Sequence, residues 1–482
     1  MRKYRSIAHA LNSTTRQSIR WCTPSINFNV THVLDHYRSD MSVSFEGLGF
    51  PAEPSGIFLD AYNKAAAVYK SDKTLFSVNG STGSNFIVLR SLSRQIPNLR
   101  VLAQRNIHKS ILNACQDYRI NLNFIEPNVD QHLQFFLPNS IYEIVKAVKK
   151  NKPHVLLITN PTYEGFSIDL KKLIPEIRRI NKKIIIFVEE AWGAHLIFSS
   201  KLPNAAMESG ADICVQSTHK QGGAFQQAGM VHWNEERIQT QHVMESYRSL
   251  TSTSPSYILL SSLEQASSFM KKKGKEKINR SIEIAEAIEK RIGGLEGFKV
   301  VDLKLLRTLI DSSLKRDKTK VVFDISESGF TGYEIAKSLE RKNIIIEKYN
   351  ASTILFLVPF QAKLEHVKLT YDALFDMLKK KSKKRSGSVA KVEPIPQDSR
   401  QIMNYHEVAS LRTTQTRKIL LKNSVGKIAA ENIIPYPPGI PITIQGELIT
   451  EEMVRYYQSL KFYPNMHIVA NDVSLETVVV VK

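Results

Sequence analysis

Between residues 55 and 225 the chain alternates short apolar runs with longer amphipathic stretches. The runs lie at 74–78, 101–104, 154–159, 184–188 and 213–216. Near-continuous apolarity in segments this short suits parallel strands buried on both faces. The stretches between them, such as 85–95 and 141–150, carry apolar residues at helical spacing. Strand–helix alternation of this kind predicts an α/β domain built on a parallel sheet.

A second alternating region follows. Ile282, Ala285, Ile288 and Ile292 predict a helix over 278–292, stopped by Gly293-Gly294. Strands at 321–323 and 353–358 flank a helix over 332–341. The lysine-rich stretch 379–385, followed by Ser386-Gly387-Ser388, reads as a linker. The expected organisation is therefore an N-terminal segment (1–54), a large domain (55–275), a smaller α/β domain ending in the basic linker (276–386) and a C-terminal α+β domain (387–482).

Composition narrows the function classes. A chain of 482 residues exceeds what one core supports. At 42% hydrophobic and 23% charged residues it reads as an ordinary globular protein. No apolar run approaches the roughly 20 residues that span a bilayer, so no membrane helix is expected. Cys22, Cys115 and Cys214 stand at unrelated spacings that form neither a disulfide framework nor a zinc ligand set. A reducing compartment, the cytoplasm, is the natural reading, and no metal is expected. The formal charge of +20 invites a nucleic-acid reading. The basic residues are spread, however, with two dense runs at 271–275 and 379–385 that lack interleaved aromatics. They read as solvated linker and helix-end surface, and no specific nucleic-acid partner is expected. The N-terminus carries Arg2, Lys3, Arg5, Arg16 and Arg20 and no acid before Asp35. Two readings stand for it: an organellar transit peptide, or a first helix with Ile7, Leu11 and Ile19 on one side.

The chemistry gathers where the strands end, which is where open parallel sheets bind ligands. The five runs are followed by Asn79-Gly80-Ser81-Thr82-Gly83-Ser84-Asn85, Arg105–Ser110 (RNIHKS), Asn160–Gly165 (NPTYEG), VEEAWGAH (188–195) and QSTHK (216–220). The first offers hydroxyls and free N–H groups at a helix N-terminus, a phosphate cradle. Lys220 at a strand end would be costly to desolvate as an ammonium, and a lowered pKa would make it a nucleophile. Singly, each feature has a plain structural reading: an N-capped loop, a surface lysine, a hydrogen-bonded histidine. Jointly, cradle, carboxylate, lysine and imidazole answer one ligand, pyridoxal 5′-phosphate.

The ordered set NGSTGSN, RNIHKS, NPTYEG, EEAWGAH, LPNAAMESGADICVQSTHK and PYPPGIP resembles the ornithine/lysine/arginine decarboxylases. The resemblance is strong over 55–235 and clear over 425–455. It implies the fold-type-I, aspartate-aminotransferase-like architecture and a pyridoxal-phosphate cofactor. By it, Lys220 matches the Schiff-base lysine and His108 the imidazole stacked on the cofactor ring. Ser81, Thr82 and Gly83, with Ser217 and His219, match the phosphate-binding positions, and Trp192 a residue beside the phenolic oxygen. Glu189 stands where the family has the aspartate paired to the ring nitrogen. Neighbouring strand residues face opposite ways, so Glu190 is expected to serve structure.

Three departures accompany the match. Glu189 is one methylene longer than aspartate. The stretch 22–28 lacks the glycine–histidine motif of short family members, and the acidic stretch after it is rewritten at 42–50. Gln445 replaces a proline before Gly446-Glu447. The resemblance implies decarboxylation of a basic amino acid such as lysine, arginine or ornithine to an amine, a polyamine precursor. It also implies at least a homodimer, and without the N-terminal wing domain of larger members no large ring. Two alternatives stay open: another outcome on the same cofactor (aminotransferase or oxidase), and a catalytically quiet member acting through interactions.

Overall fold

The computed structural model describes residues 18–25, 50–380, 393–397, 400–436, 439–460 and 467–482. The expectations for 1–17, 26–28, 42–49 and the linker from 381 onward fall outside these residues, as do Pro437 and Pro438.

A seven-stranded sheet organises the large domain. Its strands are β1 (Lys73–Ser77), β2 (Arg100–Gln104), β3 (Asn121–Ile125), β4 (Val155–Thr159), β5 (Ile185–Glu189), β6 (Ile213–Gln216) and β7 (Gly229–Trp233). They lie in the order β1-β7-β6-β5-β4-β2-β3. Strand β7 runs antiparallel to both neighbours, and every other adjacent pair is parallel. Side-chain alternation divides the apolar residues between two cores. Val155, Leu157, Ile185, Phe187, Ile213 and Val215 join the core on one face. Leu156, Ile158, Ile186, Val188 and Cys214 join the core on the other. All five predicted runs are strands. β3 and β7 come in addition: β3 is a partly polar edge strand, and β7 returns after the Lys220 loop.

Helix α1 (Gly80–Gln95) leaves β1, and α2 (Lys109–Asp117) follows β2. A later helix, α3 (Tyr257–Ile292), is 36 residues long and crosses the basic run 271–275 without interruption. That run is therefore neither linker nor helix end. Lys271, Lys272 and Lys273 point to solvent, and Gly274 lies against the Phe198 ring, where a Cβ would come within 3.0 Å of it. Glycine keeps the helix close to the large domain here, at an intrinsic cost of about 1 kcal/mol relative to alanine.

Beyond α3 stands a four-stranded antiparallel sheet. Its strands are β8 (Lys299–Val300), β9 (Lys320–Asp324), β10 (Lys348–Tyr349) and β11 (Thr353–Leu357), in the order β8-β9-β11-β10. Helices Gly332–Glu340 and Leu364–Lys379 accompany it. The C-terminal part has its own core, including Leu421, Ile433, Tyr457 and Val480, which also takes in Phe136. It is tied to the end of β2 by Arg105. That buried guanidinium donates to the Pro441 and Ile442 carbonyls at 2.6 and 3.1 Å and meets the Glu447 carboxylate at 3.3 Å. Among the described residues no helix is long and apolar enough to cross a membrane, and no acidic, histidine or cysteine group could hold a metal ion.

Candidate active site

The C-terminal ends of the parallel strands open into a cavity of about 460 Å³, within the roughly 300–1,000 Å³ usual for small-molecule sites. Eight of the nine predicted residues line it: Ser81, Thr82, His108, Glu189, Trp192, Ser217, His219 and Lys220. Gly83 does not. It sits inside the first turn of α1 beneath Asn79, where a Cβ would lie 2.7 Å from the Asn79 side chain. Its requirement is packing room within that turn.

The cradle follows from local backbone. Gly80 adopts φ +59° as the chain turns from β1 into α1, a conformation glycine takes without strain, and its N–H donates to the Gln227 carbonyl at 2.6 Å. Ser84 closes the turn onto the Gly80 carbonyl at 2.8 Å. The N–H groups of Ser81 and Thr82, in the first turn, have no intrahelical acceptor and stand with their hydroxyls at the cavity lining. Ser217 Oγ donates to Ser81 Oγ at 2.7 Å, joining the end of β6 to the same spot.

The histidines are held neutral. Both the Ser110 hydroxyl (2.8 Å) and the Ser110 N–H (3.3 Å) address His108 Nδ1, which therefore accepts. Asn85 in turn donates to Ser110 Oγ at 2.9 Å. Burial first, then the Lys220 and Lys109 charges, push His108 down to about 4. His219 Nδ1 lies 2.8 Å from the Ala228 carbonyl and so carries the proton. Burial pushes it to about 4, the carbonyl opposing and Lys220 assisting.

Glu189 ends β5 and lines the cavity, while Glu190 turns away. The Glu190 carboxylate accepts from Ala206 N–H and from Gln216 Nε2, both at 2.7 Å. Burial raises both acids to about 7, with Lys220 pulling Glu189 back down. Lys220 sits in the short helix after β6, half-buried, and lines the cavity. Burial lowers it to about 8 against the pull of Glu189. Its Nζ lies 3.7 Å from the Trp192 ring centre.

Other residues reach the cavity that motif reading left without a role. Tyr163 and Glu164 come from the NPTYEG turn, Phe136 from the large domain, and Tyr436, Gly439 and Ile440 from the PYPPGIP segment of the C-terminal part. Their motifs were visible, but nothing local signals that a loop more than two hundred residues away folds over Lys220. Lys320, first residue of β9, also reaches Trp192, with Nζ 4.1 Å from the ring centre. The Gln445 backbone N–H donates to Asn432 Oδ1 at 2.9 Å, and its side-chain amide donates to Gln116 and to the Tyr405 carbonyl, both at 2.8 Å. A proline could make none of these bonds.

A mostly parallel sheet with one internal antiparallel strand, and a lysine after the strand beside it, defines a fold-type-I, aspartate-aminotransferase-like α/β enzyme. Residues 34–366 match the family model described as Orn/Lys/Arg decarboxylase, major domain, and 393–466 match its C-terminal domain. An arginine decarboxylase of Bacillus anthracis is 32% identical over 84% of this chain and 80% of its own length. One of Bacillus subtilis is 30% identical over 86% and 83%. The inducible lysine decarboxylase of Escherichia coli is 25% identical over 86% and 69%. The solved lysine decarboxylase of Francisella novicida superposes with TM-score 0.78 at 22% identity, covering 92% of this chain and 74% of that one. The chain belongs to the ornithine/lysine/arginine decarboxylase family.

Proposed function

We propose that this chain is a pyridoxal-phosphate-dependent decarboxylase of a basic amino acid (arginine, lysine or ornithine) that releases carbon dioxide and the corresponding amine. The observation that carries the proposal is one cavity holding the Lys220 amine and the Glu189 carboxylate, with no ion pair joining them, and the hydroxyls of Ser81, Thr82 and Ser217. The names of the relatives supply the substrate class. The donor set fits the cofactor: N–H groups and hydroxyls for a phosphate, an acid for a ring nitrogen, an amine for an aldehyde. When bound, the cofactor supplies an electron-withdrawing ring conjugated to the substrate amine.

The chain's own residues do the rest. Ser81, Thr82, Ser217 and the start of α1 would hold the phosphate, and His219, its Nδ1 proton donated to the Ala228 carbonyl, lines the cavity beside them. Glu189 offers a carboxylate at the end of β5. His108, fixed by Ser110 and kept neutral by burial, presents an oriented imidazole without adding charge. Lys220, lowered to about 8, is uncharged in a minority of molecules near neutrality, the form that would meet the cofactor's aldehyde and could take up a proton. Trp192 and Tyr163, ring centres 4.5 Å apart, wall the amine from water. A cytoplasmic homodimer completes the proposal.

Product mass spectrometry tests it. The protein is supplied with pyridoxal phosphate and incubated separately with lysine, arginine and ornithine, beside Lys220→Ala. An amine that disappears in the variant is the expected result and names the substrate. A Lys220-dependent keto acid would replace decarboxylation by transamination or oxidation. No product from any of the three would overturn the reading.

A further inference from the structure

Lys320 is a buried lysine with no exposed surface, an expensive placement unless its charge has a task. It enters from the smaller sheet, at the first position of β9, and its Nζ donates to the Tyr163 carbonyl at 2.8 Å. It shares the Trp192 indole with Lys220. The two nitrogens lie 4.1 and 3.7 Å from the centre of that ring, so they are no farther apart than these distances laid end to end. An indole attracts one ammonium, but two ammonium groups at this range repel each other through a poorly solvated wall. One of the pair must give up its proton first.

The surroundings decide which. Lys320 feels three carboxylates, Asp317, Glu347 and Glu164, against the cations Lys348 and Lys220; Asp317 also meets His195 at 3.0 Å and Glu164 meets Lys348 at 2.5 Å. Lys220 faces the Glu189 carboxylate and, more weakly, Glu347, with the neutral imidazoles of His108 and His219 beside it and Lys320 as the opposing charge. Burial lowers both amines to about 8, and of the two Lys320 has the richer carboxylate field. We propose that Lys320 is a positioning residue for the active-site amine: its retained ammonium, anchored on Tyr163 against Trp192, biases Lys220 to the uncharged form. This rests on the reading of Lys220 as the reactive amine. Consistent with it, burial lowers Lys220 and the Lys320 charge adds to that lowering.

The test uses the full chain prepared without pyridoxal phosphate. A short pulse of an acetylating reagent at a series of pH values, followed by peptide mass spectrometry, reads the pH at which Lys220 becomes reactive. Lys320→Gln keeps a donor for the Tyr163 carbonyl and removes the charge, and it should raise that pH by about one unit, as loss of one nearby like charge would. Lys320→Arg keeps the charge and should stay near the parent profile. An unchanged profile in Lys320→Gln, or equal shifts in both variants, would overturn the proposal. Should Lys320→Gln not fold, the parent chain still decides: side-chain nitrogen resonances of the two lysines must show Lys220 losing its proton first, and the reverse order would sink the idea. Failure of the functional reading is separately visible. A Lys220→Ala chain that binds pyridoxal phosphate with an unaltered absorbance band would remove Lys220's role and leave the labelling profiles untouched.

Discussion

The imidazole of His232 is wedged between Thr74 Oγ1, 2.8 Å from Nδ1, and Gln216 Oε1, 3.2 Å from Nε2, with the Tyr69 ring centre 4.6 Å away. An amide oxygen only accepts, so Nε2 donates to it and Nδ1 accepts from the threonine. Gln216 then spends its amide nitrogen on Glu190, which explains why that second glutamate is structural. Burial alone pushes His232 down to about 3. The unfolded chain binds this proton near pH 6.5 and the folded chain only far lower. Stability therefore falls as pH drops from about 6.5 toward 3, by up to about 1.4 kcal/mol per unit for this residue. His108 and His219 act in the same direction. Glu189 and Glu190, raised to about 7, oppose them down to roughly pH 4.5, because there the folded state takes the protons first. His232→Gln should flatten the acid limb of stability against pH, read from urea midpoints at pH 4.5 to 7; an equal slope in variant and parent would contradict this. At Glu189 the charge, not the extra methylene, is expected to matter. Glu189→Gln should lower the decarboxylation rate by roughly two to three orders of magnitude, the scale of losing one preorganised electrostatic group. Glu189→Asp, assayed for carbon dioxide release alongside it, should keep most of the rate.

Between elements, the joint that distinguishes this chain from the family pattern is Gln445. Gln445→Pro would strip Asn432 Oδ1, Gln116 and the Tyr405 carbonyl of their donors at once, all in a largely buried setting. At about 1–3 kcal/mol for each buried group left unsatisfied, partly recovered by relaxation, the expected loss is roughly 2–4 kcal/mol in chemical denaturation. A proline variant as stable as the parent would show these bonds to be dispensable. The contrast with the sheet shows what was legible in the sequence. Strands β4, β5 and β6 are buried on both faces, so unbroken apolar runs marked them to within a residue. β3 alternates Asn121, Leu122, Asn123 and Phe124 on an edge, where exposure relaxes the pattern, and β7 places His232 and Gly229 inside a core strand. α3 was legible only in its second half, because KKKGK looks like a break until Gly274 is seen against Phe198. The candidate site was legible where motifs follow strands. It was opaque for Lys320 and Tyr436, whose approach to Lys220 is set by packing over long sequence separations.

At the scale of the whole molecule, the smaller sheet grips one turn of the large domain. Around NPTYEG, Asp317 N–H donates to the Gly165 carbonyl at 2.8 Å, Lys320 holds the Tyr163 carbonyl, and the Tyr163 hydroxyl donates to Glu347 at 3.0 Å. The Thr23 N–H, from the N-terminal segment, donates to the other Glu347 oxygen at 2.8 Å. Lys348 meets Glu164 at 2.5 Å, with both side chains buried. Tyr163 and Glu164 line the cavity, so this grip ties the relative setting of the two sheets to the shape of the site. The ion pair is the most costly part of the grip to break on one side. Lys348→Met leaves the Glu164 carboxylate enclosed without its cation and should cost about 3–5 kcal/mol in urea denaturation. Adding Glu164→Gln to that variant should recover much of the loss, because a buried pair removed together is close to neutral. If the grip sets the cavity, the double variant should regain stability before it regains activity: Glu164 would no longer be anchored from the other sheet, and KM for the amino acid should stay raised. Recovery of both together would reduce the pair to a stability element and place control of the cavity on Lys320 and Glu347 instead.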